Sequence, residues 1–254
     1  MFGVINYLTL RLNLVNVTKL IHISSLLLFI AFLSSCKKES SPPIYVNGNG
    51  VVDAGGNSYK TVVIGDQEWM AENLKTDLFC SGDSIPYAGD TIQVKVYDND
   101  PQNEVIFGKL YNYQAVLNPS GVCPCGWRVP TELDFAKLIH YLGGYKSAMR
   151  KMKSTGVLED GTGLWVKREL MNLYLGTNSS GFNALPGGYS QDSEFLNNEF
   201  FGKDSLAVFW AIPQIGTAPI SYQILTPQVD KLYHPNPLVS EVVYFSIRCI
   251  KTFP

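Results

Sequence analysis

Five cysteines, at positions 36, 80, 123, 125 and 249, are the groups in this 254-residue chain best suited to covalent chemistry. Thiols exported to an oxidising compartment pair with one another. With Cys36 set aside for a reason given below, four remain, and four allow three pairings. A Cys123–Cys125 bond would close a very small, strained ring, so bonds to distant partners are favoured. Zinc is the rival use. Cys123-Pro124-Cys125 lacks the two-residue spacing of zinc ligands, however, and no histidine accompanies it. The acidic clusters Asp98-Asn99-Asp100 with Glu104, and Glu159-Asp160, are oxygen-rich in the way calcium loops are. Pro101 breaks the EF-hand spacing, which leaves calcium as the one candidate ion and otherwise no metal or cofactor. The chain has only three histidines. His140 falls on the polar face of a helix and His234 precedes Pro235 in a loop, neither beside an evident serine or cysteine. There is no Gly-x-Ser-x-Gly, no phosphate-cradling loop and no dinucleotide fingerprint. No catalytic residue is assigned, and the chain is read as a non-enzyme.

Cys36 stands apart. Residues 1–35 carry Arg11 and Lys19 but no acid, and then the apolar run Leu26–Leu33. That run is too short to span a bilayer and has the order of an export signal. Leu33-Ser34-Ser35-Cys36 fits the lipobox of bacterial lipoproteins. Small side chains fit the peptidase pocket, and the Cys36 thiolate accepts a diacylglyceryl group. Several acyl chains, at about 0.8 kcal/mol per buried CH₂, anchor stably where one is marginal. Residues 36–48 then read as a polar tether, and 49–254 as the folded domain. Lys37 is not the aspartate that retains lipoproteins at an inner membrane, so the outer membrane is the expected location, with either face open.

The elements that position the remaining chemistry are mostly strands. Gly 22, Pro 14 and 12% aromatic residues favour a turn-rich α+β fold over a helical bundle. Tyr59–Ile64, Gly65-Asp66 and Gln67–Met70 read as a hairpin. A polar stretch over 80–108 is broken only by a short strand at Thr91–Tyr97. Gly108–Val116 is a strand-like or helical patch. Trp127-Arg128-Val129 is a strand stopped by Pro130, and Thr131 with Asp134 forms a capping box for a helix. Phe135, Leu138, Ile139 and Leu142 mark its buried face, and Gly143-Gly144 end it. A second helix, about Lys146–Lys153, carries Lys146, Arg150, Lys151 and Lys153 and reads as a solvated face. In the last stretch Val243, Phe245, Ile247 and Cys249 share one side of a strand, with Tyr244, Ser246 and Arg248 on the other. A formal net charge of −2 gives no footprint for nucleic acid.

Five segments now add up to a resemblance. In order they are Trp69-Met70-Ala71-Glu72-Asn73-Leu74, then Gly108-Lys109-Leu110-Tyr111-Asn112-Tyr113, then Cys123–Thr131. Gly176–Gly188 and Ile247-Arg248-Cys249-Ile250-Lys251 complete the set. Together they resemble the Fibrobacter succinogenes major paralogous domain of envelope lipoproteins, from about Val51 to the C-terminus. The order is also similar to the C-type-lectin-like group that includes formylglycine-generating enzymes. The resemblance implies a C-type-lectin-like α+β fold: a twisted antiparallel sheet, two helices and a long irregular loop region. It also implies that the Cys-Pro-Cys strand lies beside the terminal strand, bonding Cys123 to Cys249 and leaving Cys80 for Cys125. The calcium-binding Glu-Pro-Asn and Trp-Asn-Asp sequences of sugar-binding lectins are absent. With Cys249 the sole cysteine near the C-terminus, a formylglycine-generating activity is not carried over.

In that fold group ligands dock on the loop region before the last strands. Recognition is therefore expected between about Leu185 and Trp210 rather than on the helices. Phe182 and Trp210 are read as core rings, and Tyr189, Phe195 and Phe200 as the ligand-contacting ones. The sequence reads as a lipid-anchored binding or adhesion module for a glycan or protein. An envelope enzyme acting on carbohydrate, or a structural subunit of a surface assembly, are the alternatives.

Overall fold

The computed structural model describes residues 45–87, 93–167, 175–192, 199–213 and 242–252, with the backbone alone of 221–225. Cys36, Phe195 and His234 lie outside the described residues, as does the whole export segment.

The first sheet is built around the end of the chain. Its spatial order is β1 (Tyr45–Asn47), β4 (Thr61–Ile64), β5 (Gln67–Met70), β14 (Ile250–Lys251) and β8 (Trp127–Arg128). β4 and β5 form the expected hairpin around Gly65-Asp66, with Val62 opposite Trp69. The terminal segment enters between this hairpin and β8, with Ile250 facing Trp69 on one side and Arg128 on the other. The Met70 amide donates to the Cys249 carbonyl at 3.0 Å, and the Leu74 amide to the Ile247 carbonyl at 3.0 Å. β1 falls within the stretch read as tether. Tyr45-Val46 has strand propensity and completes the edge of β4, so the sheet begins at Tyr45.

A second sheet runs β10 (Glu199–Lys203), β9 (Gly187–Asp192), β11 (Ala207–Ala211), β12 (Ser221–Leu225), with β13 (Val242–Tyr244) also paired to β9. Its pairings are antiparallel except β9–β11, which meet in parallel at Gly188 and Ala207. Two ribbons complete the strands: β2 (Val51–Val52) with β3 (Ser58–Tyr59), and β6 (Val94–Lys95) with β7 (Leu110–Tyr111). The stretch from Leu185 to Trp210, expected as irregular loop, is therefore largely sheet. Its many glycines and aromatics resemble loop composition, but one pair of rings meets across β9 and β10, with Phe201 opposite Tyr189.

Four α-helices stand among the described residues where two were expected: α1 (Pro101–Phe107), α2 (Tyr113–Leu117), α3 (Glu132–Tyr141) and α4 (Tyr145–Met152). The two expected are α3 and α4. Thr131 and Asp134 make a reciprocal capping box at the start of α3. Asp134 also accepts from Nη1 and Nη2 of Arg128, at 2.6 and 3.0 Å. Burial pushes this carboxyl up, but the Arg128 and Thr131 hydrogen bonds win and hold it below its ordinary value. The polar stretch before residue 108 conceals α1, where Asp100 accepts from the Gln102 amide and Pro101 occupies the first turn.

Two apolar clusters fill the fold. Phe245, Ile247 and Cys249 meet Met70, Leu74, Tyr111, Val129 and Trp210 in one. In the other, Trp69, Phe182 and Phe209 meet Phe135, Leu138, Leu142, Met149 and Met152 from α3 and α4. Phe182 and Trp210 are thus core rings. Two disulfides tie this arrangement together, Cys123–Cys249 and Cys80–Cys125.

The first disulfide is buried at both ends and closes 126 residues, whereas Cys125 is exposed. On the chain-entropy model a loop of that length stabilises by about 5 kcal/mol. Under mild reductant followed by alkylation and mass mapping, Cys80 and Cys125 should be labelled first, while the domain still melts cooperatively. Cys123 and Cys249 should be labelled only as it unfolds. Simultaneous labelling of all four in the folded protein would contradict this order.

Candidate functional site

The terminal segment places a charge where the sequence pattern put only the reverse side of a strand. Arg248 is fully buried. Its Nε donates to Asn73 Oδ1 at 3.2 Å, and Nη2 donates to the same oxygen. Nη1 donates to the Phe182 carbonyl and, at 3.4 Å, to that of Met70, while Nη2 reaches the Asn183 carbonyl at 3.4 Å. The guanidinium carbon lies 4.7 Å from the Phe182 ring centroid and 5.3 Å from that of Phe209. Burial lowers its pKa to about 9, against the opposing field of Glu72. Donors, neutral acceptors and ring faces are all matched, so the group is occupied in packing.

The segment held by Arg248 also closes the C-terminal end of α4. The last four carbonyls of a helix need donors from elsewhere. Here the Thr177 amide donates to the Arg150 carbonyl at 2.8 Å, Ser180 to Lys151 at 3.1 Å, Ala184 to Met152 at 2.8 Å and Asn178 to Lys153 at 2.9 Å. Two glycines permit this contact. A side chain at Gly176 would collide with the Ser154 carbonyl, and one at Gly181, whose φ is +71°, with the Tyr45 ring.

Docking this segment on α4 creates a concave surface of about 650 Å³. Gly143, Lys146, Ser147, Arg150, Lys151, Thr177 and Ser179 line it. Lys146 and Arg150 sit one turn apart and Lys151 beside them, all on α4. Lys151 Nζ and Ser147 Oγ both donate to the Leu142 carbonyl, at 2.9 and 2.7 Å. Thr177 Oγ1 lies 3.1 Å from the Arg150 carbonyl and 3.1 Å from Ser179 Oγ. Neither the helix residues nor the loop residues could be assigned to a cleft from sequence. Basic residues at helical spacing read as a solvated face, and the wall opposite comes from a segment 26 residues beyond Lys151.

The ring candidates are placed differently. Tyr189 is half-buried, stacked on Phe201 with centroids 5.4 Å apart and set against Phe245 at 5.7 Å. Phe200 is half-buried against Tyr97, centroids 5.0 Å apart. Of the acidic candidates, Asp98 is exposed and the others have partners nearby in the chain. Asp100 caps α1, Glu104 lies 3.3 Å from Lys109 Nζ, Glu159 accepts from the Lys167 amide, and Asp160 accepts from Thr162. Among the described residues no cluster of three or more His, Cys, Asp or Glu could hold a metal ion. His140 is exposed on α3.

One residue read from sequence as part of a solvated face lies instead inside the protein, because it follows the last turn of α4 and turns in against Trp165. Lys153 is 2% exposed, with Nζ 4.3 Å from the Trp165 ring centroid, and burial lowers its pKa to about 8 from 10.5. A lysine whose folded pKa is depressed opposes folding fully below that pKa, because the unfolded chain binds the proton more tightly. The penalty is relieved as pH rises from about 8 towards 10.5. At 1.36 kcal/mol per unit the upper bound is roughly 3 kcal/mol. Lys153→Met should therefore raise the melting temperature at pH 7 and remove the parent's relative gain in stability between pH 8 and 10. A parent whose stability over that window matches the variant's slope would contradict the assignment. For Tyr189→Ala, the stacked, core-facing ring predicts a loss of about 2–4 kcal/mol in denaturant unfolding. A loss below about 0.5 kcal/mol would show that the ring is not part of the packing.

A family model, the Fibrobacter succinogenes major domain, matches residues 62–251. No curated protein and no solved structure matches the chain. The matched span runs from the β4–β5 hairpin to the terminal strand and contains Arg248, its acceptors and both disulfides. The chain belongs to the Fibrobacter succinogenes major domain family.

Proposed function

We propose that the chain is an exported, lipid-anchored module of the outer membrane, of C-type-lectin-like fold, that binds its ligand without transforming it. The observation that carries the reading is the lining of the α4 cleft. Among the described residues it presents three cations and three hydroxyls, and no carboxylate, imidazole or thiol that could take a proton or attack a bond. A cleft of this size accommodates a small-molecule or oligosaccharide ligand. The family motifs, meanwhile, are engaged in holding Arg248 and the terminal strand. The lipobox at Cys36 supports the anchor, and the neighbourhood of β5, β14 and β8 supports the lectin-like reading. An anchored binder acts by retaining its ligand at the surface, where tethering raises the local concentration of sites.

Two measurements test this. Metabolic labelling with palmitate and membrane fractionation should show lipid on the parent and none on Cys36→Ala, which should remain unprocessed or leave the membrane. Lipid on the variant would remove the anchor from the proposal. On a glycan array, the parent chain should give hits that Thr177→Trp, which fills the cleft, loses by at least tenfold. Equal hits from both would place the site elsewhere, and release of cleavage products from a hit glycan would make the protein an enzyme.

A further inference from the structure

Resting on the reading of the α4 cleft as the binding site, we infer that its ligand is an acidic oligosaccharide, a short sugar chain carrying carboxylate or sulfate groups. Three features of the cleft carry this.

The first is uncompensated charge. α4 runs Tyr145-Lys146-Ser147-Ala148-Met149-Arg150-Lys151-Met152 and holds no acid. The ion pairs among the described residues join Lys95 to Asp192, Lys109 to Asp77 and Glu104, Arg128 to Asp134, and Lys251 to Glu68. None of them involves Lys146, Arg150 or Lys151. The chain as a whole has a formal net charge of −2, so this concentration of positive charge is local. In a concave site the low-dielectric walls focus such a field on whatever enters.

The second is preorganisation. Lys151 Nζ is directed by the Leu142 carbonyl, and Thr177 Oγ1 is fixed between the Arg150 carbonyl and Ser179 Oγ. These groups lose little rotamer freedom when a ligand arrives. The loop that carries Thr177 and Ser179 is secured by hydrogen bonds to α4 and, a few residues on, by Arg248.

The third is the mixture of groups. Lys146 and Arg150 are separated by one helical turn, roughly 6 Å along the axis. That spacing suits repeated anionic groups along a chain better than one compact ion. Ser147, Thr177 and Ser179 add neutral donors and acceptors for hydroxyls. The methylene stems of Lys and Arg offer apolar surface to sugar ring faces. Among the described residues no aromatic ring lines the cleft, which offers a nucleic acid no stacking platform there. No large apolar side chain is among the described lining residues either, which leaves lipid tails without a partner among them.

The test is calorimetric titration of the full chain in detergent micelles. The probes are tetragalacturonate, a neutral tetrasaccharide of the same length, and sodium sulfate. Tetragalacturonate should bind, more weakly as salt rises, with the neutral sugar at least tenfold weaker and sulfate weaker still. Arg150→Gln with Lys151→Gln should weaken tetragalacturonate binding at least tenfold. Lys60→Gln with Lys137→Gln, which removes equal charge from exposed positions elsewhere, should leave it within twofold. Should the first pair disturb folding, as read by circular dichroism, Lys146→Gln alone should still weaken binding at least threefold. If the neutral sugar binds as well, and Thr177→Trp abolishes that binding, the cleft is a site but the acidic-ligand inference fails. Equal weakening by both charge-removing pairs would show diffuse attraction and also overturn it. Binding untouched by Thr177→Trp and by the Arg150 and Lys151 changes would overturn both the inference and the reading of the cleft. No binding of either saccharide would overturn the inference.

Discussion

A single buried guanidinium sets the terms for the rest of this fold. An isolated charge inside a protein is costly unless hydrogen bonds and polarizable neighbours replace its water. Arg248 finds no carboxylate within ion-pair distance among the described residues. It depends instead on neutral oxygens of Asn73, Met70, Phe182 and Asn183 and on the faces of Phe182 and Phe209. Those groups must be brought to one point from three separate parts of the chain, Met70 with Asn73, Phe182 with Asn183, and Phe209. Asn73 is itself fixed by its amide, which donates to the Phe107 carbonyl at 2.8 Å and to Ser246 Oγ at 3.3 Å. The Cys123–Cys249 bond then pins the neighbouring residue to the strand before α3. Loss of any acceptor would leave a buried donor unpaired, which typically costs 1–3 kcal/mol, more for a charged group.

This explains why the five segments that carry the resemblance disclose no chemistry. Trp69–Leu74 supplies Met70 and Asn73. Gly108–Tyr113 supplies Tyr111, whose backbone pairs with Phe245 and whose carbonyl accepts from Trp210 Nε1 at 2.6 Å. Cys123–Thr131 supplies one half of the disulfide, and Gly176–Gly188 supplies Phe182 and Asn183. Ile247–Lys251 supplies Arg248 itself. All five are fold-determining contacts, so a resemblance carried by them bears on architecture and leaves the ligand open.

What the sequence made legible follows the same division. Local rules sufficed for α3, because Thr131 and Asp134 lie three residues apart and Gly143-Gly144 take positive φ after it. They sufficed for the β4–β5 hairpin and for the alternation that sends Phe245, Ile247 and Cys249 into one cluster. They failed where burial comes from distant chain. Alternation assigned Arg248 to the side away from that cluster, which is correct. Nothing local reveals that a second cluster covers that side too. The helix α1 was missed although Asp100-Pro101 is a start signal, because the charged residues around it also suit a loop. The cleft was missed because concavity is a relation between α4 and residues 176–179, and neither segment is unusual alone.

The hub and the cleft are nevertheless one mechanical system. Thr177 and Ser179 face the cleft, while Phe182 and Asn183, a few residues on, are fixed by Arg248. Between them, Ser180 Oγ donates to the Lys151 carbonyl at 2.8 Å, and Gly181 leaves room for the Tyr45 ring. Such a short, multiply bonded connection cannot shift at one end without breaking donors at the other. The wall of the cleft is thus tied to the core behind it by several hydrogen bonds, which lowers the cost of ordering it around a ligand. Side chains facing the cleft make no contact with the guanidinium, whereas Asn73 Oδ1 is its one side-chain acceptor and the carbonyls of Met70, Phe182 and Asn183 serve it only while the backbone holds its course. In this chain the boundary between the groups that fix the fold and those that face the cleft therefore falls between Ser179 and Phe182.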